Sequence, residues 1–145
     1  MSVSLLRSLF ALPMMVLLAG CTGSGIATGD MSGTVIFNGE PVPYGTIEFH
    51  PASDAKNPGP TVSAEIRNGA FDTSESGAAV VRGPLEIRIT AYPSEPADLE
   101  DETAETEAVE PYFVGYTIEM DYTAEPVEIV VPEDAEGFDI YARND

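Results

Sequence analysis

Leu85-Glu86-Ile87-Arg88-Ile89-Thr90-Ala91 is the stretch that decides the fold class of this chain. Apolar residues at 85, 87, 89 and 91 alternate with Glu86, Arg88 and Thr90. That period of two sends successive side chains to opposite faces of an extended strand, whereas a helix would need apolar positions three and four apart. A strand with one apolar and one charged face fits an antiparallel sheet packed on one side only.

Working outward, the same alternation recurs. Val35 and Phe37 oppose Thr34 and Ile36, Ile47 and Phe49 alternate with Thr46, Glu48 and His50, and Val62, Ala64 and Ile66 alternate with Ser63, Glu65 and Arg67. Tyr112, Val114, Tyr116, Ile118 and Met120 predict one face of a further strand, and Val127, Ile129 and Val131 followed by Phe138 and Ile140 predict two closing strands. Asn68-Gly69 predicts a tight hairpin, because a type I′ turn needs positive φ at both central residues. Asn38-Gly39-Glu40-Pro41-Val42-Pro43 reads as a loop between the first two strands, its prolines being unable to donate to a ladder. Nothing after Cys21 has helical periodicity. The expected fold is all-β, an antiparallel β-sandwich of roughly seven strands over residues 33–145.

Upstream lies a different kind of segment. Arg7 supplies a positive n-region, residues 8–18 an apolar stretch, and Leu18-Ala19-Gly20 small residues before Cys21, the chain's one cysteine. This is the three-part form of a secretory signal. It is shorter than the ~20 apolar residues a spanning helix needs. Leu18-Ala19-Gly20-Cys21 resembles the lipobox of bacterial lipoproteins. That resemblance implies removal of residues 1–20 as a signal peptide and lipidation of Cys21, with acyl chains (palmitate among them) as the membrane attachment. Two or three chains anchor stably where one is marginal. Thr22 to Ser32 is small, polar and glycine-rich, so residues 21–32 are expected to form the lipidated end and a flexible tether.

The chain carries 25 acidic residues against six basic ones, a formal net charge of −19. Every acidic residue follows Cys21, and Arg7 leaves with the signal, so the mature protein is one unit more negative still. Nucleic acid is excluded as a partner, since binding there rests on Lys and Arg neutralising phosphates. Electrostatic docking on anionic head groups is excluded for the same reason. With Cys21 lipidated no thiol remains for a disulfide or a thiolate metal site.

From Ser32 on the order of motifs resembles one family. Ser32-Gly33-Thr34-Val35, the Asn38 to Pro43 loop, and Gly45-Thr46-Ile47-Glu48-Phe49-His50-Pro51 are similar to the opening of the transthyretin-like, carboxypeptidase regulatory-like β-sandwich domains of small lipoproteins, notably planctomycete ones. Arg67-Asn68-Gly69-Ala70-Phe71, residues 82–89, and 127–131 with 138–140 resemble its later hairpin and strands. The resemblance covers nearly all of residues 32–142 and implies an accessory, non-catalytic domain.

One segment departs from that family pattern. Ser94 to Glu110 carries eight carboxylates and no basic residue. Self-repulsion and lack of buriable surface predict a solvating loop. Asp98, Glu100, Asp101, Glu102 and Glu105 are also the one oxygen-rich group that could hold Ca²⁺, although no Asp-x-Asp-x-Asp-Gly frame fixes them. No other cofactor is expected.

His50 is the one histidine. A Ser/His/Asp site would have to be built around it, and no Gly-x-Ser-x-Gly elbow accompanies it. The purine-breakdown hydrolases of the transthyretin-like fold use several histidines, so a chain with one does not match them. Glu100 and Asp101 are paired carboxylates, but nothing apolar in the sequence around them would raise a pKa for acid–base work. Tyr44, Tyr92, Tyr112 and Tyr141 read as cross-strand aromatic packing, with a glycan or peptide platform as the alternative. The expected function is therefore that of a lipid-anchored cell-envelope protein, not an enzyme, acting as a structural or protein-interaction module. Its partners would be the membrane, through the acyl chains, and an envelope protein. The alternative is a calcium- or glycan-binding surface module using residues 94–110 or the tyrosines. Thr22 stands where an aspartate would signal inner-membrane retention in some bacteria, which favours the outer membrane.

Overall fold

The structure, a computed structural model, describes residues 26–52, 59–96 and 109–142. Ten strands follow in chain order: β1 (Thr28–Gly29), β2 (Ser32–Phe37), β3 (Glu40–Pro41), β4 (Tyr44–Pro51), β5 (Val62–Arg67), β6 (Ala70–Asp72), β7 (Val80–Val81), β8 (Pro84–Tyr92), β9 (Phe113–Asp121) and β10 (Val127–Val131). Two single 3₁₀ turns, Thr73–Ser76 and Glu133–Ala135, are the sole helical elements among the described residues.

The main sheet runs β10-β2-β6-β5-β4-β8-β9, with β3 hairpinned onto β2 and a separate β1–β7 pair. It curls on itself, so that β10-β2-β6 lies across from β5-β4-β8-β9 as in a sandwich. Aromatic contacts bridge the two layers: Phe37 meets Phe113 at 5.1 Å between ring centroids, and Phe49 meets Phe71 at 5.8 Å. The alternation read from the sequence sets the inside. Leu85, Ile87, Ile89 and Ala91 are buried on β8, Ile47 and Phe49 on β4, and Val62, Ala64 and Ile66 on β5. Each large apolar side chain among them is worth roughly 1.5–3 kcal/mol on burial.

Both Asn-Gly pairs form tight turns. Asn68 and Gly69 adopt φ of 50° and 82° between paired Arg67 and Ala70. Asn38 and Gly39, read from sequence as part of a longer loop, adopt 52° and 77° and close the β2–β3 hairpin. Pro41 sits on the short outer strand β3, where a missing donor costs little.

Four features depart from the sequence reading. First, β10 pairs with β2 in parallel, Val127 to Val131 alongside Gly33 to Phe37. The chain crosses between layers after β9, so both strands climb from the same end of the sandwich. That end, carrying Ser32, Pro84, Asp121 and Val127, is called the base here, and the end carrying Tyr44, Arg67, Tyr92 and Phe113 the top.

Second, β9 does not keep one parity. Between Ile89 and Ala91 of β8 the register shifts, and Gly115 takes φ of 66° in a bulge on β9. An inserted residue flips the faces. Phe113 is therefore the fully buried side chain at the top, while Tyr116, Ile118 and Met120 pack inward below it. Val114 is not on that core face.

Third, Phe138 to Ile140 forms no strand of its own beside β10. After the Glu133–Ala135 turn the chain crosses to the free edge of β9, where Val114 donates to the Phe138 carbonyl (2.7 Å) and Ile140 donates to that of Val114 (3.0 Å). Asp134-Ala135-Glu136-Gly137 is thus a crossover that buries Ala135. It covers part of an edge that would otherwise be open to pairing.

Fourth, the segment expected to be a tether as far as Ser32 is already built into the domain from Ala27. Arg82 N–H donates to the Ala27 carbonyl (2.8 Å), Thr28 and Gly29 pair with Val81 and Val80, and Met31 is buried. The buried valines of β7 and the side chain of Met31 give this stretch an apolar seat that glycine-rich composition alone conceals.

Candidate functional site

The outer face of β5-β4-β8-β9 is a continuous polar surface. Strand register sets it out in rows. At the top, Arg67, Tyr44 and Tyr92 lie side by side; below them come Glu65, Thr46 and Thr90; then Ser63, Glu48, Arg88 and Thr117; and near the base His50, Glu86 and Glu119.

The top row is clamped. The Arg67 guanidinium forks onto the Glu95 carboxylate, with Nη1 to Oε2 and Nη2 to Oε1 both 3.1 Å, while its Nε donates to Glu65 Oε2 at 3.1 Å. Fork-to-carboxylate geometry gives direction as well as charge. The same guanidinium lies over the Tyr44 ring, 5.4 Å from its centroid, and Tyr44 leans on Tyr92 at 6.4 Å. The hydrogen bonds to Glu95 and then Glu65 hold the Arg67 pKa above its ordinary value. Burial, followed by the Glu65 charge, raises that of Tyr44. On the return side, Tyr112 N–H donates to the Ala91 carbonyl (2.7 Å), and Tyr112 packs its ring on Phe37 at 5.4 Å. Both roots of the Ser94 to Glu110 segment are therefore fixed to the top of the sandwich.

Near the base, His50 Nε2 lies 3.3 Å from Glu48 Oε2 and Nδ1 lies 3.0 Å from Thr61 Oγ1. A hydroxyl, an imidazole and a carboxylate are thus linked in series on an open strand face. The linkage holds the ring in place, with both nitrogens occupied. Arg88 is tied to its own strand, donating through Nη2 to Glu86 Oε1 at 2.6 Å.

Between these groups runs a shallow groove of about 260 Å³, lined by Thr46, Glu48, Arg88, Thr90, Tyr92, Val114, Gly115 and Tyr141. It sets hydroxyls, a carboxylate and a guanidinium beside two aromatic rings. Tyr141 is 74 % exposed there, and Tyr92 and Tyr112 are half-buried by packing. A wider open hollow of about 530 Å³ at the base includes Glu86, Glu119 and Asp121 in its wall. Among the described residues no group of three or more His, Cys, Asp or Glu is placed to hold a metal ion.

Cys21 and the candidate calcium carboxylates Asp98, Glu100, Asp101, Glu102 and Glu105 lie outside the described residues. The sequence reading missed the Arg67–Glu95 fork, which joins positions 28 apart and leaves no periodic signal. Its one visible trace was Arg67 standing as a rare cation beside an Asn-Gly turn. No protein-family model, curated protein or solved structure matches the chain.

Proposed function

We propose that the chain is a lipid-anchored cell-envelope protein, attached through acyl chains on Cys21, whose single β-sandwich is a non-catalytic interaction module. The observation that carries this reading is the fixed stem of residues 94–110. Arg67 grips Glu95 on one side and the Ala91 carbonyl holds Tyr112 on the other. Seven further carboxylates lie in sequence between Glu95 and Tyr112, so the acidic segment leaves and rejoins the sandwich at the same end. The transthyretin-like resemblance and the lipobox point the same way. The partner for such a display is a basic surface of another envelope protein, and the outer membrane is the favoured location. His50 fits this role as a structural residue, its ring held between Glu48 and Thr61.

In-cell cross-linking of the full lipoprotein, followed by mass spectrometry, tests the reading. A parallel variant carries Gln or Asn at the acidic positions of 94–110. One abundant protein captured by the native chain and lost in the variant is the expected result. No reproducible protein capture would contradict it.

A second reading rests on the Tyr92–Tyr141 groove, where aromatic rings flank hydrogen-bonding groups as in a glycan site. In that case Tyr141→Ala abolishes retention on an immobilised envelope polysaccharide and leaves the cross-linked partner unchanged. Calcium binding at Asp98, Glu100, Asp101, Glu102 and Glu105 is tested by whether Ca²⁺ raises the melting temperature.

A further inference from the structure

We propose that the domain stands on the bilayer by its base, and that the β1–β7 pair is the clamp that enforces this pose and keeps the 94–110 end off the membrane. The proposal rests on the lipid-anchor reading above and adds which surface meets the lipid.

Chain length sets the pose. Ala27 is the first residue pinned to the domain, by the Arg82 N–H. Arg82 also donates through Nε to the Thr28 carbonyl (3.1 Å) and lays its guanidinium 5.3 Å from the centroid of Tyr122, whose hydroxyl donates to the Asp30 carbonyl (3.2 Å). This strap fastens the incoming chain to the base, beside the start of β8 and the end of β9. Between Cys21 and Ala27 there are six steps along the chain, a reach of at most ~22 Å even when fully extended. The sheet from base to top is longer: β8 spans nine residues, Pro84–Tyr92, or roughly 27 Å at ~3.4 Å per residue. A domain resting on its top would have to bring Cys21 back past the whole sheet, which the pinned chain cannot do. Released from the strap as far as buried Met31, the same chain would reach ~36 Å and inversion would become possible.

The surface turned to the lipid is the base itself. It offers exposed Ile26 and Arg82, but also Asp30, Asp121 and Glu125. With those carboxylates present, attraction to anionic lipid does not set the pose. The strap does.

The test uses the full lipidated chain in phosphatidylcholine vesicles doped with headgroup-nitroxide lipid. A thiol-reactive fluorophore is placed at the base by Glu125→Cys or at the top by Glu40→Cys, both exposed positions. Strong quenching at 125 and near-background quenching at 40 is expected. Equal quenching, or stronger quenching at 40, would overturn the proposal. A second pair of variants adds about twelve Gly/Ser residues after position 25, lengthening the reach by roughly 40 Å. The difference between the two sites is expected to collapse there, and its persistence would show that the strap is not the cause. Vesicle flotation of the native chain and of Cys21→Ser separates the two levels. If the native chain fails to float, the anchor reading falls and the pose with it; if it floats but the quenching pattern is wrong, the pose alone falls.

Discussion

Thr73 is the one buried polar side chain among the described residues, and its hydroxyl accepts from the Met31 N–H at 2.9 Å while its own N–H donates to the Met31 carbonyl. Thr73→Val keeps the shape and removes the acceptor, so a buried N–H loses its partner. A loss of about 1–3 kcal/mol in urea unfolding is expected, with Thr73→Ser retaining most of the bond. The titrating residues give further checks. Hydrogen bonds from Ser74 hold the Asp72 carboxyl below its ordinary 3.8. Its contribution is therefore present above that value and is lost as pH falls through the lower folded one. Asp72→Ala should lower stability at neutral pH and flatten the acid limb below 3.8, so that the variant and the native chain converge as pH falls. Tyr44 works at the other extreme. Its phenol is held above 10.0, chiefly by burial, so the folded chain keeps a proton that the unfolded chain releases. Stability should fall as pH rises past 10.0, and less so in Tyr44→Phe, as followed by phenolate absorbance and denaturation together. At this scale the sequence told inside from outside on β2, β4, β5 and β8, because alternation is local. Thr73 was not legible, since its partner lies 42 positions away.

Element boundaries show where alternation misleads. On β9 the apolar series Tyr112, Val114, Tyr116, Ile118 and Met120 reads as one face, yet the bulge at Gly115 moves the top of the strand by one residue. A glycine in a strand pattern is the signal for such a break. Phe113, packed edge-on against Phe37, is fully buried as a result. Phe113→Ala is expected to cost about 3–5 kcal/mol, and Val114→Ala much less, by the same unfolding measurement. Gly115→Ala should also destabilise. It places a Cβ 2.5 Å from Ile140 Cγ2 and asks an L-residue to hold φ of 66°. The strain part alone is roughly 1–2 kcal/mol. The parallel β2–β10 pair was illegible for another reason. Direction is set by where the chain crosses between layers, and Tyr122 to Pro126 carries no signal of that crossing.

For the whole molecule, the two ends have different chemistry. The base receives the incoming chain through β1, and the top holds the stem of the acidic segment through Arg67. The sandwich class was legible because most strands obeyed the same period and turns fell between them. The stem was not, because salt bridges between distant positions leave no pattern in composition. If residues 97–108 act only outward, changing their carboxylates to amides should alter unfolding free energy by less than about 1 kcal/mol. Glu95→Gln, which weakens the Arg67 fork, should instead loosen the stem, visible as faster amide exchange at Tyr92 and Tyr112.

Display of the acidic end at a membrane depends on the chain being held at Cys21. The most direct measurement is the intact mass of the protein extracted from the membrane fraction of the producing cell, beside that of Cys21→Ser. The account predicts a chain beginning at Cys21 and carrying two or three acyl groups, with the serine variant absent from that fraction. An unacylated chain, or a serine variant that remains on the membrane, would contradict it.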